Sequence, residues 1–259
     1  MDLGIAGRRA LVCASSRGLG RGCAEALAAE GVNLVLNARG EEALEQTAAA
    51  IRERYDVSVT AIAADVTTEA GRSAVLAAAG HVDILVNNAG GPPPGNWRDW
   101  SRDDFIAAFD ANAYSAIALM KALVPGMCST GWGRVVNVTS VAVKQPIAVL
   151  GLSNTARTAL TGYVAGIARD VAKDGVAINN LLPGIHATDR IDMLDGFEAQ
   201  ASGKTLAEMR SQRAMSIPAG RYGTTEEFGA ICALMCSQFS GFMIGQNVLL
   251  DGGAFNSTF

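Results

Sequence analysis

The chain has 259 residues, 49% of them hydrophobic, 18% charged and 6% aromatic, with 29 glycines and a formal net charge of −4. That apolar fraction supplies a full core and excludes a disordered chain, and the negative balance argues against nucleic acid or an anionic membrane as principal partner. No run of about 18 apolar residues occurs, and the first residues lack the basic-then-apolar order of a secretory signal, so a cytoplasmic protein with no membrane span is expected.

Apolar stretches of strand length alternate with longer helical patterns. Strands are expected at 9–14, 33–37, 57–63, 82–87, 134–138, 177–182 and 247–250. Helices are expected at 18–30, 41–54, 67–79, 102–127, 155–173 and 225–236. Continuous rather than alternating hydrophobic strands, each followed by a helix, predict one α/β domain over residues 1–259. Its architecture is a Rossmann-type, doubly wound parallel sheet of roughly seven strands with helices on both faces. The run Gly90-Gly91-Pro92-Pro93-Pro94-Gly95 predicts a rigid turn leaving the sheet edge after the fourth strand. The span 190–216, with Met193, Met209 and Met215, suits a substrate lid and equally a plain surface helix pair. Cys13, Cys23, Cys128, Cys232 and Cys236 form no CxxC pair, and His81 and His186 are the only histidines. Neither disulfides nor a metal site is expected, and Cys232 and Cys236 read as core thiols on one helical face.

The first strand runs into Ala14-Ser15-Ser16-Arg17-Gly18-Leu19-Gly20, which opens a helix. Glycines in such a turn let backbone approach a diphosphate, whose charge is favoured at the helix N-terminus. At the end of the second strand, a carboxylate would bind ribose hydroxyls and repel a 2′-phosphate. Ala38 and Arg39 stand there instead, and Arg17 lies in the loop facing the same region. Two guanidiniums and no acid predict NADP(H), preferred over NAD(H).

Further motifs follow in order: Asp65-Val66, Asn87-Asn88-Ala89-Gly90, Asn112, the run 133–140 ending in Ser140, Pro183-Gly184 with Thr188, and the tail 245–253. With the loop at 14–20 they make the chain similar, over nearly its whole length, to short-chain dehydrogenase/reductases of the 3-oxoacyl-[acyl-carrier-protein] reductase type. The resemblance implies that Asp65 and Val66 contact adenine, that Asn87, Asn88, Ala89 and Gly90 line the cofactor, and that Ile185 and Thr188 hold the nicotinamide amide. It also implies a homotetramer or homodimer built on the helices at 102–127 and 155–173. The small residues of the second helix would serve intramolecular packing equally well.

The catalytic positions depart from the family. There a serine polarises the carbonyl, a tyrosine thirteen residues later donates the proton, and a lysine four residues further binds the nicotinamide ribose. Ser140 occupies the first position, but the other two fall on Ser153 and Arg157. The first glycine of the phosphate loop is replaced by Ala14, whose Cβ crowds a tight turn. An aliphatic hydroxyl is far less acidic than a phenol of pKa about 10, so Ser153 is no equivalent acid. Arg157 keeps its charge and suits ribose hydroxyls, but it cannot relay protons. Loss of a positioned acid costs roughly 10²- to 10⁴-fold, about 3–5 kcal/mol of barrier. Lys144 and His186 are the candidate substitutes; a solvated lysine and a hydrogen-bonded loop histidine are the alternatives. Tyr114 should point to a different face from Asn112, and Tyr163 lies about 15 Å beyond Ser153 along a helix.

Three readings follow. The first is an NADP(H)-dependent oxidoreductase reducing a carbonyl, 3-oxoacyl-like or another ketone. The second is an NADP(H)-binding sensor or regulatory subunit without turnover. The third is a cofactor-independent lyase resembling the haloalcohol dehalogenases, which share the arginine but keep the tyrosine and lose the phosphate loop. Ile191, Phe197 and the methionines of the lid suggest a small-molecule substrate with an apolar part.

Overall fold

Seven strands alternate with helices along the chain: β1 (Arg9–Cys13), β2 (Asn33–Ala38), β3 (Val59–Ala63), β4 (Ile84–Asn87), β5 (Gly133–Val138), β6 (Val176–Pro183) and β7 (Asn247–Leu250). They lie in the order β3-β2-β1-β4-β5-β6-β7, every neighbouring pair parallel. The computed structural model describes residues 1–258. The helices are α1 (Gly18–Ala29), α2 (Glu41–Arg54), α3 (Glu69–Ala79), α4 (Arg102–Phe109), α5 (Ser115–Thr130), α6 (Gly151–Ala172), α7 (Asp189–Ser202), α8 (Leu206–Ser216) and α9 (Thr225–Met235).

The two-residue period of the strands divides the core between the faces of the sheet. Ala10 and Val12 of β1 pack in the cluster that includes Leu27 of α1, Ile51 of α2 and Phe228 of α9. Leu11 and Cys13 pack with Val75 of α3, Met120 of α5 and Val164 of α6. Burial on both faces explains the uninterrupted hydrophobic strands of the sequence. Apart from Asn37 of β2, the buried asparagines of the strands lie on one half of the sheet. Asn87 Nδ2 donates to Asn137 Oδ1 at 2.9 Å, Asn137 Nδ2 to the Asn179 carbonyl at 3.4 Å, and Asn180 Nδ2 to Asn247 Oδ1 at 2.8 Å. These amides run from β4 to β7 and pair mostly with one another, which keeps them tolerable in the interior.

Two helical expectations change. The helix expected at 102–127 is α4 and α5 joined by a π-turn, Asp110–Tyr114, in which the Ser115 amide reaches back to the Asp110 carbonyl. The helix expected from 155 begins at Gly151, so Ser153 belongs to α6 together with Arg157. The span 190–216 is a helix pair, α7 and α8, with the Asp195 carboxylate buried against Arg213 Nε at 2.6 Å and accepting from the Tyr222 hydroxyl at 2.8 Å. Proline-rich backbone after β4 forms neither strand nor helix, as expected, and Gly95 N donates to the Val149 carbonyl at 2.9 Å. No described helix is long and apolar enough to cross a membrane, the five cysteines are free, and no described acidic, His or Cys cluster could hold a metal.

Candidate active site

Chain order reverses between β1 and β4, which opens a crevice at the carboxyl ends of these strands. The loop after β1 enters it in a constrained form. Ala14 has φ +48°, the only left-handed non-glycine among the described residues, and Gly18 follows at +56°. The chain thus keeps the turn that glycine normally supports, at a strain of about 1–2 kcal/mol for the alanine Cβ. A Cβ on Gly20 would fall 2.2 Å from the Ala14 carbonyl oxygen and 2.8 Å from Asn88 Nδ2, so this approach requires glycine. Ser15 is buried, its amide and hydroxyl both donating to the Asn37 carbonyl at 3.0 and 3.3 Å. The Ser16 carbonyl accepts from Thr47 Oγ1 at 2.9 Å, and Leu19 packs on the core. Arg17 stands at the N-cap of α1 without capping through its side chain, which leaves first-turn amides for an anion.

At the carboxyl end of β2, Ala38 is buried and Arg39 is exposed beside it. The Asp65 carboxylate accepts from the Thr67 amide at 2.9 Å, which with the charge of nearby Arg39 holds its pKa below the usual carboxylate range. Val66 lines the cavity that also reaches Asn87, Asn88 and Ala89. Arg17 and Arg39 do not act as a pair here: the Arg17 guanidinium reaches Asp189 at 3.3 Å, across the crevice on α7.

Arg157 projects from α6 beneath the loop after β4. Its Nε donates to Ser153 Oγ at 3.2 Å, its Nη1 to the Val138 carbonyl at 2.8 Å and its Nη2 to the Ala89 carbonyl at 3.2 Å. It is 7% exposed, and burial, reinforced by the charge of Arg190, pulls its pKa down to about 10. Asn112 sits in the π-turn with Nδ2 on the Ala108 carbonyl at 3.3 Å; its buried Oδ1, like that of Asn87, has no partner. Both residues border one cavity with Arg157, the polar lining suited to a hydroxyl-bearing ligand or water. Ser140 is half-buried and accepts from the Ala142 amide at 3.1 Å, so its own proton is free to be donated. The unpartnered acceptors, the Gly20 approach and the uncapped α1 terminus together fit a dinucleotide.

Neither candidate proton donor has the environment its role requires. Lys144 is exposed, its ammonium 5.6 Å from the Phe255 ring, so the expected desolvation is absent. His186 is buried edge-on against Phe228 at 5.2 Å, and a Cβ on Gly223 would lie 2.6 Å from its ring. Burial lowers its pKa, and its Nδ1 lies 3.4 Å from the Gly184 carbonyl, an environment that matches the hydrogen-bonded loop histidine of the alternative reading. Pro183 closes β6, the Gly184 amide donates to the Leu250 carbonyl at 2.9 Å, and the Ile185 carbonyl accepts from Gly223 at 3.0 Å. Thr188 caps α7, and Gly18 lies against it, a Cβ there falling 3.6 Å from the threonine methyl. Tyr114 is exposed beside Arg72, away from the buried Asn112, and Tyr163 packs on the core.

Sequence reasoning passed over Arg190. It is half-buried, donates to the Pro92 carbonyl at 2.5 Å and faces Arg157 across Gly91. Its position two residues after Thr188 was the available signal.

A family model described as Enoyl-(Acyl carrier protein) reductase matches residues 13–254. Acetoacetyl-CoA reductase of Cupriavidus necator is 32% identical over 253 residues, covering 95% of this chain and 97% of its own. Dehydrogenase/reductase SDR family member 4 of Oryctolagus cuniculus is 30% identical, covering 96% and 94%. Among solved structures, L-sorbose reductase from Gluconobacter frateurii complexed with NADPH and L-sorbose superposes with a TM-score of 0.94 at 29% identity, over 99% of this chain and all of that one.

Proposed function

The chain belongs to the short-chain dehydrogenase/reductase family, and from that premise we propose that it is an NADP(H)-dependent carbonyl reductase in which Ser153 and Arg157 replace the tyrosine and lysine of the usual tetrad. The convergence of the Ala14–Gly20 turn, the Asn88–Gly90 backbone and Arg157 at the β1/β4 crossing carries this reading. The adenosine 2′-phosphate falls to Arg39, with Ala38 presenting no carboxylate to repel it. The first-turn amides of α1 hold the diphosphate, Asn87 to Gly90 and Arg157 the nicotinamide ribose, and Pro183 to Ile185 with Thr188 the amide. Bound NADPH supplies a hydride to the substrate carbon.

Ser140 donates a hydrogen bond through its free hydroxyl to the carbonyl oxygen and polarises it, keeping its own proton. Ser153 accepts from Arg157 Nε, so its own proton is likewise available. Arg157 stays protonated at neutral pH and stabilises charge developing on the oxygen without relaying a proton. The proton that completes the alcohol is drawn from solvent. This arrangement favours a substrate whose developing charge is already delocalised, because no strong acid is at hand.

A second reading, cofactor binding without turnover, is supported by the same hydrogen bonds. Arg157 ties Val138 to Ala89, a structural role that needs no chemistry. An NADPH titration followed by energy transfer from Trp97, Trp100 and Trp132, then a panel of ketones and 3-oxoacyl thioesters, separates the two. Saturable binding with turnover of one class is expected. Binding with no turnover across the panel leaves the second reading, and no binding at millimolar cofactor removes both.

A further inference from the structure

Arg157 and Arg190 border one small volume. A carbon placed on Gly91 as a side chain would lie 3.9 Å from Nη2 of Arg157 and 3.5 Å from Nη2 of Arg190. Every hydrogen-bond acceptor of either guanidinium is neutral: the Ser153 hydroxyl and the carbonyls of Val138, Ala89 and Pro92. Among the described residues, no carboxylate forms an ion pair with either. The acids of α7 are engaged elsewhere, Asp189 with Arg17, Asp192 with Arg210 and Asp195 with Arg213. Burial lowers the proton affinity of both arginines, and their mutual repulsion adds to the effect at Arg157. An anion in the space beside Gly91 would offset the cost of burying Arg157 and the repulsion between it and half-buried Arg190.

We propose that this volume receives a carboxylate of the substrate, held between Arg157 and Arg190 beside the reacting carbon. The location distinguishes substrate from cofactor. Arg157 donates to Ser153, whose free proton the reductase reading offers to the substrate carbonyl, while the anionic groups of the cofactor, its diphosphate and 2′-phosphate, are assigned to the amides of α1 and to Arg39. A carboxylate here is one or two carbons from the carbonyl, as in a 2-oxo or 3-oxo acid, and its planar oxygens match the guanidinium forks. The proposal rests on the carbonyl-reductase reading and adds a substrate class to it.

The test compares each acid with its own methyl ester: benzoylformate with methyl benzoylformate, and acetoacetate with methyl acetoacetate. Binding is measured by calorimetry on the full chain with and without NADP⁺, for wild type, Arg190→Gln and Arg190→Lys, with NADPH affinity measured in parallel. The wild type is expected to bind at least one acid about tenfold more tightly than its ester. Arg190→Gln should bring that ratio to about one with NADPH affinity little changed, and Arg190→Lys should keep part of it. Equal binding of acid and ester by the wild type overturns the proposal, as does an Arg190→Gln variant that retains the preference. An Arg190→Gln variant that loses NADPH affinity while its acid-to-ester ratio stands would assign Arg190 to the cofactor diphosphate and overturn it too. Failure of NADPH to bind any variant would sink the reductase reading alone, because the cofactor-free comparison still reads the carboxylate site.

Discussion

The Nε of Arg157 donates to the hydroxyl of Ser153, one helical turn earlier, at 3.2 Å. Ser153 and Arg157 are therefore one hydrogen-bonded unit, and changing either alone leaves a buried polar group without its partner. Ser153→Ala should cost about 1–3 kcal/mol of stability for that reason. Urea unfolding measures it, and an unchanged midpoint would show that Nε finds another acceptor.

Restoring the pair together tests the chemistry. With Arg157 protonated throughout the neutral range, reduction by the wild type should show no ionisation of these two residues between pH 6 and 8. The Ser153→Tyr, Arg157→Lys double variant should gain a titrating limb and roughly 10²-fold in kcat. The kcat–pH profile of both proteins checks this; a double variant that binds NADPH yet gains neither rate nor limb contradicts it.

Cofactor preference should follow Ala38. Ala38→Asp places a carboxylate at the end of β2, where it repels a 2′-phosphate and accepts from ribose hydroxyls. NADPH should weaken by about tenfold relative to NADH, equivalent to ~1.4 kcal/mol. Parallel titrations of the two cofactors decide the matter, and an unchanged ratio would place the 2′-phosphate elsewhere.

Ala14→Gly should stabilise the fold. Relief of the left-handed alanine gains about 1–2 kcal/mol, and the added freedom of glycine in the unfolded chain offsets about 0.4–1 of it. A rise of about 2 °C in Tm is expected. A lower Tm would mean that the Ala14 methyl contributes packing that outweighs the strain.

Acid sensitivity should trace in part to His186. Its folded pKa is depressed by burial, so the unfolded chain binds a proton that the native ring refuses. Its stabilising contribution is therefore complete above the unfolded value of about 6.5 and falls as pH drops from there toward the folded pKa. His186→Phe should flatten the slope of unfolding free energy against pH between 5 and 7. Identical slopes would assign the acid response to other groups.

The sheet and the order of its elements were legible because continuous apolar strands and turn motifs are local signals. The π-turn at Asp110–Tyr114 was not, since one extra residue in a helix leaves the apolar periodicity almost intact. The left-handed turn and close glycine approach of the loop after β1 were legible in its residues, yet the ion pair between Arg17 and Asp189 depends on where α7 lies. His186 read as a candidate donor by type and position, whereas the burial against Phe228 of α9 that lowers its pKa is a contact made only in three dimensions. Apart from its place two residues after Thr188, Arg190 carried no sequence signal of its own, since its placement beside Pro92 and Gly91 arises only in the fold.

The asparagines of β4 to β7 have a use beyond satisfying one another. A parallel strand buried on both faces offers hydrophobic side chains wherever it slides, so apolar packing says little about its alignment along the neighbour. An amide that meets its mate only at one setting acts as a detent. Asn87 opposite Asn137, and Asn180 opposite Asn247, index this half of the sheet. They thereby set the heights at which β4, β5 and β6 release the Asn88, Ser140 and Gly184 segments. A valine at position 137 would pack as well and leave those three segments free to settle at the wrong level.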